Sequence, residues 1–533
     1  MGKKLLCLIM AVCFVLGLTA CGNSSVAMDN SQRVDNTTVH GGFVAETGDY
    51  VYFINGVENY VTEYKTGDVT KGALARIKKS DIGTDKFETV VSKLIVADDT
   101  DAGIYIYGDY VYYAVPSEEK DKTGTVKNDQ LNFFRTKLDG SDTSKNIPAR
   151  DFPHSAKYRY VQSGNNVYLV VHSTELYVYD AVAGKQLYTT ENEDVLAKID
   201  VAELLFSEDS ANVYFTSLPV NTVLSDKDNV QKDAHHVVYQ VALSSASAKA
   251  EVKIVLDGVG KKNIVNDEVA NPEGVDLVGV TIDLIRNVGG KLYFASTSLN
   301  TASGTTPKYL AVAESKLDGS IARSWLTDEN TLTVDKDYAS AIFADTSIFH
   351  DGKIYFVNAS HGLMVYDSAK VDDATTVVGV SRVYYSDTAK GATLDFISKE
   401  DVDYMYFHDA SGNYYKLNLA TPEEELRLNT HAVNTAWYTP EVITANGEYF
   451  LIVAYTDSKF KSYCQAINTT KLAKAYAELT EDEDKTAFYE VEPEKDDESA
   501  ESESEEEVVV RATDFSVLFG TYAEADVEEE SNK

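Results

Sequence analysis

Few side chains in this sequence are spaced for chemistry. It contains no Gly-x-Ser-x-Gly nucleophile elbow, no Gly-x-x-x-x-Gly-Lys-Ser/Thr phosphate loop and no His-Glu-x-x-His zinc helix. Gly258-Val259-Gly260 lacks the third glycine of a dinucleotide loop and reads as a turn. His235-His236 is the only adjacent histidine pair, and on a strand its members point to opposite faces. Asp98-Asp99-Thr100-Asp101 gathers the oxygens a hard cation wants. It lacks the glycine and distal glutamate of an EF-hand loop, so solvated turn aspartates are the simpler reading. Cys464, in the apparent strand Ser462–Ile467, reads as a small buried apolar residue and not a nucleophile. No catalytic residue, metal site or cofactor is expected on these grounds. The 85 acids neither exclude nor support a glycosidase-type carboxylate pair, which is defined by separation in space. Tyrosine is the unusual residue, with 35 copies against 2 tryptophans. Most tyrosines lie in apparent strands, as in Tyr112-Tyr113 and Tyr384-Tyr385, where cross-strand packing is the expected role. Tyrosines left on a rim or channel would suit sugars or peptides, and this is the one positive hint of a ligand.

The elements that carry these residues repeat. Gly48-Asp49-Tyr50-Val51-Tyr52 recurs as Gly108-Asp109-Tyr110-Val111-Tyr112. Looser copies begin at Gly164, Ser210, Gly289, Asp351, Asp401 and Asn446, roughly 45–80 residues apart. In each, a Gly, Asp or Asn pair suits a tight hairpin turn, and the aromatic and β-branched run after it suits a strand. A further strand ends in Lys137-Leu138-Asp139-Gly140-Ser141, matched by Lys316-Leu317-Asp318-Gly319-Ser320. A unit is thus three or four antiparallel strands. One such sheet cannot bury both faces alone, whereas copies arranged about an axis can. The expected fold is all-β: a β-propeller over residues 41–470, with eight blades favoured and seven still open because the copies at Asp401 and Asn446 are weak. The long stretch Gly258–Gly274 reads as an inserted loop, either a binding loop on one rim or tolerated surface variation.

The chain has 533 residues, 44% of them hydrophobic, and a formal charge of −37. That composition excludes a disordered chain, and that charge argues against nucleic acid as a partner, because phosphate contacts need cations. From residue 471 to 533 there are 22 acidic and 6 basic residues, so this tail is expected to be largely disordered. Val508–Phe519 interrupts it with strand propensity. The last unit lacks an outer strand, so the ring is expected to close with a strand from Asn36–Phe43 or from this C-terminal segment.

At the N-terminus, two lysines precede Leu5–Leu18, an apolar run of 14 residues that is too short to span about 30 Å of hydrocarbon. It fits the core of a secretory signal over residues 1–20. Leu18-Thr19-Ala20-Cys21 resembles the bacterial lipobox. That resemblance implies lipid on Cys21, cleavage before it, and a tether over residues 21–40. The expected location is extracytoplasmic, lipid-anchored to a bacterial cell membrane through Cys21. Cys464 is then the only other cysteine of the mature chain, so no intramolecular disulfide or thiolate zinc cluster can form.

The Gly-Asp-Tyr-Val-Tyr strand, with its Leu-Asp-Gly-Ser strand end, resembles the prolow-density-lipoprotein-receptor-like β-propeller family of unknown function, found in bacterial lipoproteins. The likeness covers about Thr47–Ile467. It implies a propeller and carries over no active-site residue. Leu176–Tyr188 is similar to a quinoprotein-type repeat, with Ala183 where Thr is expected and Tyr188 where Trp is. The other units lack that pattern, which speaks against quinone binding. The expected function is a non-catalytic propeller that binds a protein, peptide or glycan. A glycan- or cell-wall-active enzyme and an envelope-assembly scaffold are the alternatives.

Overall fold

The computed structural model describes residues 42–55, 72–96, 103–189, 205–244, 252–261, 277–296, 309–314, 336–430, 440–456, 462–490 and 510–521, with gaps of one to three residues inside those ranges. Among them, nearly all regular structure is antiparallel β: seven four-stranded sheets, one of three strands, and two separate hairpins. The first sheet holds Val44–Thr47, Tyr50–Asn55, Ala73–Lys78 and Glu88–Val91. The second holds Tyr105–Tyr107, Tyr110–Pro116, Gln130–Lys137 and Phe152–Pro153, and the third Lys157–Ser163, Asn166–His172, Leu176–Asp180 and Lys185–Thr189. The fourth is Leu205–Phe206, Asn212–Thr216, Val237–Ala242 and Val252–Asp257, and the fifth Asp283–Val288, Lys291–Ser296 and Tyr309–Glu314. The sixth is Ile348–His350, Lys353–Asn358, Gly362–Tyr366 and Val380–Tyr384; the seventh is Thr393–Lys399, Asp403–His408, Tyr414–Asn418 and Leu426–Arg427. The eighth is Glu441–Ala445, Glu448–Thr456, Ser462–Asn468 and Ser516–Thr521.

All eight copies of the turn motif join the first strand of a sheet to its second. At Asp351-Gly352 and Asn446-Gly447 both turn residues have positive φ, the twist that a two-residue hairpin demands. Strands follow one another as neighbours in every sheet but the fourth, where the hairpin Val220–Asp226/Asn229–His235 is inserted between the second and third strands. The expected inserted loop Gly258–Gly274 begins as Val259–Lys261, paired with Leu277–Gly279; residues 262–276 lie outside the described residues. The two hairpins touch each other.

Because strand side chains alternate, each sheet offers two apolar faces, and most are covered by a neighbouring sheet. Ile106, Val111 and Tyr113 of the second sheet pack on the first, while Tyr105, Tyr112 and Phe133 pack on the third. The third packs on the fourth, the sixth on the seventh, and the seventh on the eighth. The fourth and fifth meet along Leu205–Phe206, Asn212–Thr216 and Asp283–Val288. The eighth returns to the first: Ile443, Ile452 and Cys464 share a core with Val44 and Phe53. Each such side chain contributes roughly 1.5–3 kcal/mol when fully buried. Across this seam the Cys464 thiol donates to the Ile54 carbonyl at 3.1 Å, and the Thr444 amide donates to Glu46 Oε2 at 3.1 Å. The sixth sheet's remaining face is covered by α1 (Lys336–Ile342), through Ile342 and Tyr338.

The repeated motif has a second structural role. Tyr52 lies opposite Arg76 on the next strand, and Arg76 sits 4.7 Å above the Tyr50 ring. Its Nη1 donates to the Leu138 carbonyl at 2.9 Å, as does the Tyr52 hydroxyl at 3.1 Å. Leu138 is in the Leu-Asp-Gly-Ser turn of the next sheet. The arrangement recurs one sheet on: Tyr112 lies opposite Arg135, Arg135 covers Tyr110 at 4.3 Å, and it donates to the Val182 carbonyl of the third sheet at 3.2 Å. In the seventh sheet Tyr406 lies opposite Lys416, which sits 4.0 Å from the Tyr404 ring centre. There the cation turns back to Glu400 at 2.6 Å instead of reaching a neighbour.

The expected tail begins with structure. α2 (Thr469–Glu478) is capped by the Asn468 side chain, which accepts the Lys471 amide at 2.9 Å, and it buries Leu472. α3 (Asp482–Ala487) follows, and Phe488 and Ala512 join the core between the seventh and eighth sheets. Ser516–Thr521 then pairs with Ser462–Asn468 as the missing outer strand. Of the two closing strands expected, the C-terminal one is used. Residues 491–509 and 522–533 lie outside the described residues. Removing residues 510–533 strips the edge from Ser462–Asn468 and opens the core at Ala512. The melting temperature should fall by about 5 °C or more, measured by calorimetry; an unchanged value would show that this strand adds no stability.

Candidate functional site

The residues singled out for chemistry in the sequence are placed as structural groups or fall outside the described residues. Cys21 and Asp98-Asp99-Thr100-Asp101 lie outside them. Cys464 is fully buried. The His236 ring accepts the Ile282 amide at Nδ1, 3.1 Å away, and ties the fourth sheet to the segment entering the fifth. The Asp139 carboxylate accepts the Ser141 amide within its own turn. Tyr52, Tyr105, Tyr112, Tyr113, Tyr160, Tyr179, Tyr214, Tyr406 and Tyr414 are all fully buried, as cross-strand packing requires.

Tyr385 is the exception. It is 48% exposed, one of few large apolar side chains on the described surface. It directly follows the outer strand of the sixth sheet, while its neighbour Tyr384 turns inward to donate to Glu425. The Arg382 guanidinium lies 5.3 Å from the Tyr385 ring centre and 3.4 Å from His361 Nδ1. The Tyr338 ring of α1 stands 6.1 Å from that imidazole. Each element is held from beneath. His361 sits in a turn whose Ser360 and His361 amides donate to Asn358 Oδ1 at 2.9 and 3.1 Å. At Gly362, with φ +79°, a Cβ would come within 2.6 Å of the Tyr384 carbonyl, so only glycine lets that strand end approach.

No carboxylate pairs with Arg382 among the described residues. Arg382 is exposed, in a chain of charge −37. The arrangement offers a stacking face for a sugar ring or an apolar side chain, beside a fork that matches a carboxylate. Tyr384-Tyr385 was legible as a strand-borne pair. Arg382, His361 and Tyr338 carried no sequence signal, because they come from three elements up to 44 residues apart.

Other titratable groups are paired inside the sheets. Asp395, the extra residue of a bulge in the seventh sheet's first strand, holds His408 Nδ1 at 2.8 Å, and the imidazole stacks on Tyr414. Burial raises the Asp395 carboxyl despite the pull of His408. Burial also lowers the Lys416 ammonium, against the attraction of Glu400. Among the described residues, one group of three metal-ligating side chains comes together: His350, Asp351 and Asp403.

Glu441, on the first strand of the eighth sheet, buries its Oε1 without a hydrogen-bond partner. Its carboxyl is raised well above the usual range by burial, and further by the charge of Glu46. Such a group keeps its proton in the folded protein at pH values where the unfolded chain has lost it. Stability is therefore undiminished below the ordinary value of 4.5 and declines as pH rises above it. Glu441→Gln should be more stable than wild type at pH 8, with the gap closing as pH falls below 4.5. Urea unfolding across that range checks this; a constant gap would contradict it.

No protein-family model and no curated protein matches the chain. Solved structures with similar backbones include a puromycin-hydrolyzing peptidase of Mycobacterium tuberculosis, 12% identical, with a TM-score of 0.39 over 74% of this chain and 54% of that one. BamB from Moraxella catarrhalis is 10% identical, with a TM-score of 0.36 over 81% of this chain and 98% of its own. The computationally designed Ika8 protein is 10% identical, with a TM-score of 0.33 over 78% and 94%. The chain thus spans about half the length of the peptidase.

Proposed function

We propose that this protein is an extracytoplasmic lipoprotein, held to the bacterial cell membrane by lipid on Cys21, whose eight larger sheets close into an eight-bladed propeller and bind a protein, peptide or glycan without catalysis. The anchor rests on the charged, apolar and lipobox segments of residues 1–21. Ring closure rests on the succession of packed sheets from the sixth through the eighth and first to the fifth. The prolow-density-lipoprotein-receptor-like propellers, of unknown function, are the family this reading favours.

Binding rests on one observation above the others: an exposed Tyr385 carrying an Arg382 with which no carboxylate pairs among the described residues. A bound glycan or peptide would stack on the ring and place an acidic group on the guanidinium. A glycan- or cell-wall-active enzyme is the second reading. His408, oriented by Asp395, is the observation that favours it, since such an imidazole can move a proton. An envelope-assembly scaffold would use the same surface for a protein partner.

Radiolabelled palmitate should enter wild type and not Cys21→Ala, and equal labelling would refute the anchor. Arg382→Ala and Tyr385→Ala, tested on purified cell-wall glycan and on a peptide array, should each weaken retention about tenfold. Unchanged retention would remove this surface from the reading. Turnover lost in His408→Ala would favour the enzyme.

A further inference from the structure

We infer that His350, Asp351 and Asp403 form a binding site for one divalent first-row transition ion of the zinc class, at the junction of the sixth and seventh sheets. The three side chains come from two different turns. His350 ends the first strand of the sixth sheet, Asp351 opens its hairpin turn, and Asp403 starts the second strand of the seventh. Packing between these sheets, through Leu363, Leu394 and Met405, fixes one turn against the other.

The donor geometry suits an ion. His350 Nε2 lies 2.9 Å from Asp403 Oδ2 and 3.6 Å from Asp351 Oδ2, and all three donors lie within 4.8 Å of one another. Ligands held about 2.0–2.2 Å from such an ion stand about 3.0–3.5 Å apart. Two of the three separations are therefore near the bound values, and Asp351, exposed on its turn, needs only a rotamer adjustment to complete the set. Water would fill the remaining positions.

The electrostatics point the same way. No lysine or arginine pairs with either carboxylate among the described residues. The buried Tyr355 hydroxyl is held above its ordinary range by desolvation first, then by the charges of Asp403 and Asp351. The His350 Nε2 stands within 2.9 Å of Asp403 and 3.6 Å of Asp351, so one imidazole nitrogen meets both carboxylates. A hydrogen bond joins Nε2 to Oδ2; a bound ion would take the place of that proton, with the ring coordinating through Nε2 as the neutral tautomer that keeps its proton on Nδ1. The imidazole selects the ion: magnesium and calcium prefer all-oxygen sets, whereas zinc and cobalt accept nitrogen with carboxylate. This inference does not depend on the ligand surface around Tyr385, which lies on the outer strand of the sixth sheet.

The untagged full chain should be titrated with Co²⁺ and followed by visible absorption, and with Zn²⁺ by calorimetry. One equivalent should bind and give a cobalt d–d band. His350→Ala and Asp403→Asn should each weaken that equivalent about 100-fold, while melting near the wild-type temperature. Ca²⁺ should not compete. Loose binding by the acidic tail persists in every variant and separates from the specific equivalent. A wild-type chain without a specific equivalent, a cobalt band that survives in His350→Ala, or displacement by Ca²⁺ would each overturn the site. If His350→Ala fails to fold, loss of the band in Asp403→Asn with its fold intact supports the site, and its persistence overturns it.

Discussion

The structure depends on a tyrosine-propped cation that ties one sheet to the next. Arg76 and Arg135 occupy the same register in successive sheets, each lying over a motif tyrosine and donating to a turn carbonyl of the sheet beyond. Apolar contact between sheets is strong but has no direction, and two flat faces can slide. A charged donor on a fixed carbonyl sets their offset, and the ring beneath keeps the long side chain from collapsing. The Tyr-Val-Tyr alternation serves both ends of this device: the tyrosines face the cation, and the intervening valine faces the other neighbour. In the seventh sheet the same device closes on itself. Lys416 is buried against Glu400, and the Tyr406 hydroxyl donates to that carboxylate at 2.6 Å. A buried pair of this kind adds little net stability but is costly to break.

A chain of stacked sheets has two weak places, its seam and its edges. The seam between eighth and first sheets is closed by shared apolar packing and by Glu46, which receives both the Thr444 amide and Lys79 at 2.9 Å. The last sheet's edge is covered by Ser516–Thr521, reached only after the chain has crossed an acidic stretch. Along that detour Leu472 of α2, Phe488 just after α3 and Ala512 bury themselves in an otherwise charged region and bring the strand back.

The sixth sheet is where the molecule presents chemistry outward. Its outer strand carries the Arg382–Tyr385 surface, and its first turn carries His350 and Asp351. One of its faces rests on the seventh sheet and the other on α1, so both groups stand on a rigid base.

Turn residues and alternation are local properties, and they made the all-β class, the eight turn–strand copies, the buried Cys464 and the core tyrosines legible before any coordinates. Each depends on neighbours two to five residues away. The strand potential of Val508–Phe519 was equally legible, but its partner was not, because pairing across about 50 residues leaves no spacing rule. The cation in Arg76 or Lys416 looks like any exposed charge until the register places a tyrosine opposite it. Exposure of Tyr385 beside half-buried Tyr384 depends on where the outer strand ends, and the meeting of His350 with Asp403 depends on how two sheets stack. The linear chain by itself determined what kind of element each segment forms, since that is decided by backbone sterics and side-chain alternation. Only the tertiary structure decided which side chains face each other, since that is a balance of packing between elements far apart in the chain.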